Sequence, residues 1–134
     1  MAHNVKHSSA LIHSVLDHIG SRCNSARIEI YDGKQPVDGD APVNGKLLGA
    51  PQFASPAFHK AQGLAILAFP IKDDANGDAS GTPGFFRVVA GDGSTVFDGT
   101  VGGIGDGCDM EFDTTEFQKS GRIRIETFTY RLRK

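Results

Sequence analysis

The sequence predicts a mainly β fold: a jelly-roll-like β-sandwich of about eight strands with one N-terminal α-helix. Three observations lead there. Gly84 to Val101 holds two runs rich in Phe and Val around a Gly91-Asp92-Gly93-Ser94 turn. Such residues favour strands, and glycine supplies the positive φ that a tight hairpin turn needs. The chain carries 17 glycines in 134 residues, which suits a fold with many tight turns. Only one stretch, near the N-terminus, repeats apolar residues at helical spacing. The length fits a single domain over residues 1–134, divided into an arm (1–7), a helix (8–20) and a β-sandwich (26–132).

Ser8 or Ser9 can cap the helix, because a serine hydroxyl accepts from the free N–H groups of a first turn. Leu11, Ile12, Val15, Leu16 and Ile19 then form one apolar face. That face must pack on the domain's own sheet or on a neighbouring subunit. Gly20 fits the position just past the helix end. Ala26 to Tyr31 alternates, with Ile28 and Ile30 on one side and Arg27, Glu29 and Tyr31 on the other. A long polar loop follows, broken by Pro36, Gly39, Pro42 and Gly45. Lys46 to Phe53 reads as a strand that Pro51 confines to an edge or a bulge. Ala57 to Lys60 is expected to be another short strand. Gly63 to Ile71 is apolar on both faces and predicts a central, doubly covered strand. The Phe85–Val101 hairpin comes next, then a glycine-rich loop, then a strand over Cys108 to Phe112. The last strand is placed at about Arg122 to Leu132. Its apolar positions change phase between Ile125 and Phe128, which implies a bulge or a switch of covered face. Ile28, Ile30, Ile66, Phe86, Val88 and Ile125 are the expected core.

The formal net charge of -2 argues against a general nucleic-acid binder. The charges are unevenly placed. Asp32 to Glu116 holds 13 acidic and 5 basic residues, whereas the two ends together hold 3 acidic and 9 basic. Two cysteines, Cys23 and Cys108, are too few for a disulfide scaffold and are expected to be free buried thiols. No run approaches the roughly 18 apolar residues that span a bilayer, and Met1 to Ser9 lacks the apolar core of a signal peptide. Production in a cytosol, with no membrane partner, is therefore expected.

No catalytic, metal or cofactor site is expected. Asp73-Asp74-Ala75-Asn76-Gly77-Asp78 lacks the carboxylate rhythm and distal glutamate of a calcium loop. His13 and His18 are five apart and do not share a helix face. His3 and His7 lie in the arm, and His59 stands alone. Gly102 to Gly107 lacks the Lys-Ser/Thr and the following helix of a phosphate loop. No strand-turn-helix elbow presents a nucleophile. The chain is read as a non-enzyme.

A further set of segments carries a resemblance. A short amphipathic helix leads into Arg27-Ile28-Glu29-Ile30-Tyr31-Asp32-Gly33 and Gln35-Pro36. Gly45-Lys46-Leu47-Leu48-Gly49 and Ser55-Pro56-Ala57-Phe58 follow. Then come Asp78-Ala79-Ser80-Gly81-Thr82, Phe85-Phe86-Arg87-Val88 and Val96-Phe97-Asp98-Gly99-Thr100-Val101-Gly102. Over roughly residues 9–130 this order is similar to small structural proteins of tailed bacteriophages, and to the jelly-roll head cement proteins of Bordetella-type phages. The resemblance implies a virion structural protein: a cement or decoration protein on the head exterior, made in the host bacterial cytoplasm. Its partners would be the major capsid protein and neighbouring copies of itself as a homo-oligomer, with no direct nucleic-acid contact. It supplies no catalytic residue. The alternative is a small ligand- or carbohydrate-binding β-sandwich module of a phage tail or fibre.

Attachment is assigned to the segments outside the sandwich, on their position and positive bias. These are the arm Ala2, His3, Asn4, Val5, Lys6 and His7, and the tail residues Arg131, Arg133 and Lys134.

Overall fold

The structure, a computed structural model, describes residues 4–132. It is mainly β, with seven strands in two sheets and one helix. The helix α1 (Ser9–Arg22) is capped as expected, with the Ser8 hydroxyl accepting from the Leu11 N–H at 3.1 Å. It buries Ile12, Leu16 and Gly20, one residue per turn, against the body of the same chain. Gly20 does not end the helix. A Cβ there would lie 3.3 Å from the Phe58 Cβ, so the missing side chain lets the helix come close to the 57–66 segment. This close approach offsets the roughly 1 kcal/mol that glycine costs inside a helix relative to alanine.

The larger sheet is curled like a half-barrel. Its order is β2 (Leu47–Gly49), β1 (Arg27–Tyr31), β4 (Phe85–Val89), β5 (Thr95–Gly103), β6 (Met110–Phe112). The β4–β5 hairpin forms as the sequence predicts, with Gly93 in its turn at φ 89°. β1 lies antiparallel to β4, with Ile28 opposite Val88 and Ile30 opposite Phe86. These side chains form the apolar inner face. All six expected core residues are buried.

The strand covered on both faces is β4, not Gly63 to Ile71. Phe85, Phe86, Arg87, Val88 and Val89 are all buried. The loop after β1 folds back over the outer face, where Arg87 holds it. Its guanidinium donates to Asp98 at 2.7 and 2.9 Å and to the Ala41 carbonyl at 2.8 Å. The Tyr31 and Phe85 rings stack beside it, 5.2 Å between centroids. The 63–71 region contributes only β3 (Ala65–Leu67), which pairs with β7 (Thr129–Arg131) in a two-stranded ribbon. Ile66 points into the core, while Leu67 is 47% exposed. Apolar residues on both faces thus marked a strand with one wet face.

Other expected strands shrink. Ala57 to Lys60 supplies one bridge, Phe58 to Ala68. Lys46 to Phe53 is regular only in β2, which lies at a sheet edge with Pro51 just beyond it. The expected long final strand is regular only in β7. Ile123, Ile125 and Phe128 are buried, with exposed Glu126 and Thr127 between, so the predicted phase switch falls where the regular pairing lapses. Among the described residues, seven strands therefore stand where about eight were expected.

Phe128 joins the two sheets. Its ring lies 5.8 Å from Phe86 and 6.2 Å from Phe97 on the large sheet, and 6.2 Å from both Phe53 and Phe58. Phe128→Ala is expected to cost about 3–5 kcal/mol, read from urea unfolding; a loss under about 1 kcal/mol would refute this role. Asp98→Ala should cost a similar amount, about 3–5 kcal/mol, because it strands the Arg87 charge in a nearly dry site. Pairing Arg87→Met with Asp98→Leu should recover most of that loss in the same assay.

Candidate interaction surfaces

Two surfaces stand out, one carrying the chain ends and one acidic. At the first, α1 runs along the 57–64 segment. Asp17 accepts from the Ala61 N–H at 2.9 Å, and the His13 ring contacts the Gly63 carbonyl at 3.1 Å. The same turn holds the other end of the chain, since the Leu132 N–H donates to the Leu64 carbonyl at 2.8 Å. The first half of α1, which follows the arm, and the residue after β7, far apart in sequence, therefore meet the same turn. Asn4, Val5, Lys6 and His7 are exposed and irregular. Arg131 is exposed, but it lies within β7, opposite Ala65, and not outside the strands as expected. Ala2, His3, Arg133 and Lys134 lie outside the described residues. Along the helix flank next to the arm, Leu11 and Val15 stay 48% and 41% exposed.

The second surface was not singled out from the sequence. It is an open cleft of about 800 Å³ between β6 and the segment leading to β7. Met110, Phe112, Phe117, Ile123 and Phe128 form its apolar floor. Asp109, Glu111, Asp113, Glu116 and Glu126 stand around it. The alternation Asp109-Met110-Glu111-Phe112-Asp113 was the available signal: one strand with an apolar face and an acidic face.

The cleft exists because β6 runs parallel to β5, Val101 opposite Met110, with only residues 104–109 between the strands. Parallel neighbours usually need a connection of about a dozen residues or more. Here carboxylates bind the reversal together. Asp106 accepts from the Gly103 N–H at 2.8 Å, Asp109 from the Thr100 N–H at 2.9 Å, and Glu111 from the Gly107 N–H at 2.8 Å. The glycine-rich stretch expected to be a loose loop is thus partly strand and partly a tied turn. Asp113, Glu116 and Glu126 have no side-chain hydrogen bond or ion pair among the described residues. Arg122 and Arg124 also line the cleft and both turn towards Asp73, at 3.5 and 3.2 Å, so the five carboxylates of the lining outnumber its two cations.

Among the described residues, no three His, Cys, Asp or Glu side chains are grouped to hold a metal ion. Two of the three acids of the 73–78 loop have structural partners instead. Asp73 meets the two arginines, and Asp74 accepts from the Ala50 and Asn76 N–H groups at 2.8 and 3.0 Å. Among the described residues, no helix is long and apolar enough to cross a membrane.

Cys23 and Cys108 are unpaired. Cys23 is fully buried, and burial pushes its thiol from 9.0 up to about 12 despite the nearby Arg22 charge. Cys108 is only partly buried and lines the cleft. A thiol reagent at neutral pH should modify one cysteine, Cys108, in the folded protein and both in denaturant. Cys23 favours its protonated form in the fold. Stability should therefore fall as pH rises from about 9.0 towards 12, and Cys23→Ala should remove the early part of that decline while leaving the part from Tyr31, raised from 10.0 to about 12.

Comparison with protein-family models, with curated proteins and with solved structures found no match to this chain.

Proposed function

We propose that this chain is a non-enzymatic virion protein that cements the capsid, binding the assembled shell of major capsid protein from the head exterior. The observation that carries the reading is that α1, which follows the arm, and Leu132, which follows β7, both bond to the Gly63–Leu64 turn. An exposed arm, an exposed basic residue and a half-exposed apolar helix flank share that end. Such a surface can hold a neighbour through a large extended contact, at the cost of ordering a flexible segment. In this reading the two sheets meeting over Phe128 are a reduced jelly roll. A protein that binds the assembled shell but not its free subunits favours assembly by mass action. Linked contacts over many copies strengthen it further through effective concentration.

The test is copy number on purified particles. Hundreds of copies per head are expected, and a handful would overturn the cement reading. Binding to assembled shells should weaken as salt rises past physiological strength, where the Debye length is about 8 Å. Deleting residues 1–7 should lower occupancy; unchanged occupancy would move attachment elsewhere on the body. The cleft of about 800 Å³ favours one second reading, a ligand- or carbohydrate-binding module of a tail or fibre. Binding of a glycan from an array, competed by substitutions on the cleft floor, would support that reading instead.

A further inference from the structure

We propose that the protein associates head to tail, the N-terminal arm of one copy lying as an added strand in the acidic cleft of the next. The backbone supplies the first reason. β6 is the last strand of its sheet, and its outer edge pairs with no strand among the described residues. Facing it, the chain from Arg124 to Thr127 is irregular and also lacks a strand partner. The cleft is therefore flanked by two stretches of backbone with hydrogen-bonding capacity to spare. An extended peptide added to a sheet edge uses that capacity, with pockets for alternate side chains setting specificity.

Charge and apolar pattern choose the occupant. Asp113, Glu116 and Glu126 leave the rim negative, while Arg122 and Arg124 are held by Asp73. The arm reads His3-Asn4-Val5-Lys6-His7. In an extended strand Val5 faces opposite to Lys6. Val5 can then sit on the Met110–Phe112–Phe128 floor while Lys6 reaches the rim carboxylates. Val5 is 78% exposed in the single copy, so the arm leaves its own apolar side chain uncovered there. The arm starts beside the Gly63–Leu64 turn, at the opposite end of β7 from the cleft. The contact thus joins two different surfaces. Passed on from copy to copy rather than exchanged within a pair, it generates a closed ring or an open chain.

The inference deepens the homo-oligomer within the cement reading and rests on that reading only for its setting. Cys108 on the cleft wall provides the test. In the full-length Val5→Cys protein, mild oxidation should give a ladder of disulfide-linked multimers with residue 5 joined to Cys108. The ladder should vanish in Val5→Cys with Cys108→Ser. Sedimentation of the otherwise unaltered chain should show self-association that weakens with salt. Glu116→Lys with Glu126→Lys should weaken it about tenfold or more, and adding Lys6→Glu should restore much of the loss. The proposal is overturned by a monomer at all concentrations, by a disulfide confined to single chains, or by association indifferent to these charge reversals. Shell binding is scored separately. Self-association without binding to assembled shells overturns the cement reading alone, and shell binding by a strict monomer overturns the head-to-tail contact alone.

Discussion

The placement of both proposed surfaces depends on the packing of one ring, Phe128. A two-stranded ribbon is at best marginally stable by itself in water. β3 and β7 form such a ribbon, so their position must be imposed by what they pack on. Phe128 supplies that constraint just before β7 begins, touching rings from the large sheet and from the 53–58 segment. The Phe97–Tyr130 contact, with 4.9 Å between centroids, continues it into the strand. β3 in turn receives α1 through Ile66 and the glycine-assisted approach at Phe58. The positions of α1 and β7 are thus set by aromatic packing in the middle of the molecule.

The two faces of the large sheet use different physics. The inner face is continuous hydrocarbon, Ile28, Ile30, Phe86 and Val88 packed with the rings. The outer face carries two bonded polar groups, Arg27–Glu29–Tyr31 and Arg87–Asp98. The Tyr31 hydroxyl donates to Glu29 at 2.8 Å, and burial first and that bond second push it up to about 12. An ion pair of this kind contributes little net stability once desolvation is counted, but breaking it is costly. Its evident effect is positional: Arg87 reaches past Asp98 to the Ala41 carbonyl and pins a loop that has no regular structure.

Local pattern carried the elements whose signals are local. The hairpin, the capped helix and the alternation of β1 follow from turn chemistry and side-chain period. Burial of Ile28, Ile30, Ile66, Phe86, Val88 and Ile125 follows from the same pattern. The misreadings involve partners distant in sequence. Gly63 to Ile71 looked doubly covered because apolar content does not say which neighbours exist. Gly20 looked like a helix stop because glycine marks both a cap and a close contact. Of the assigned attachment residues, the sequence indicated exposure of Asn4 to His7 and Arg131, but not that α1 and Leu132 bond to one turn. The cleft stayed hidden for a related reason. Its acidic alternation is readable from Asp109 to Asp113, but the parallel turn that opens a gap beside it depends on side chains folding back onto backbone amides.

β4 is paired along both edges and covered on both faces, so its amides can meet solvent only when the sheet, the Arg87-held loop and the ring cluster part together. The arm and the tied turn of residues 104–109 have no such cover. Local opening free energy therefore rises steeply from the periphery to the centre of the molecule. The parts proposed to grip a neighbour can order and release while the central strand remains closed. Attachment and detachment are thus decoupled from unfolding of the body.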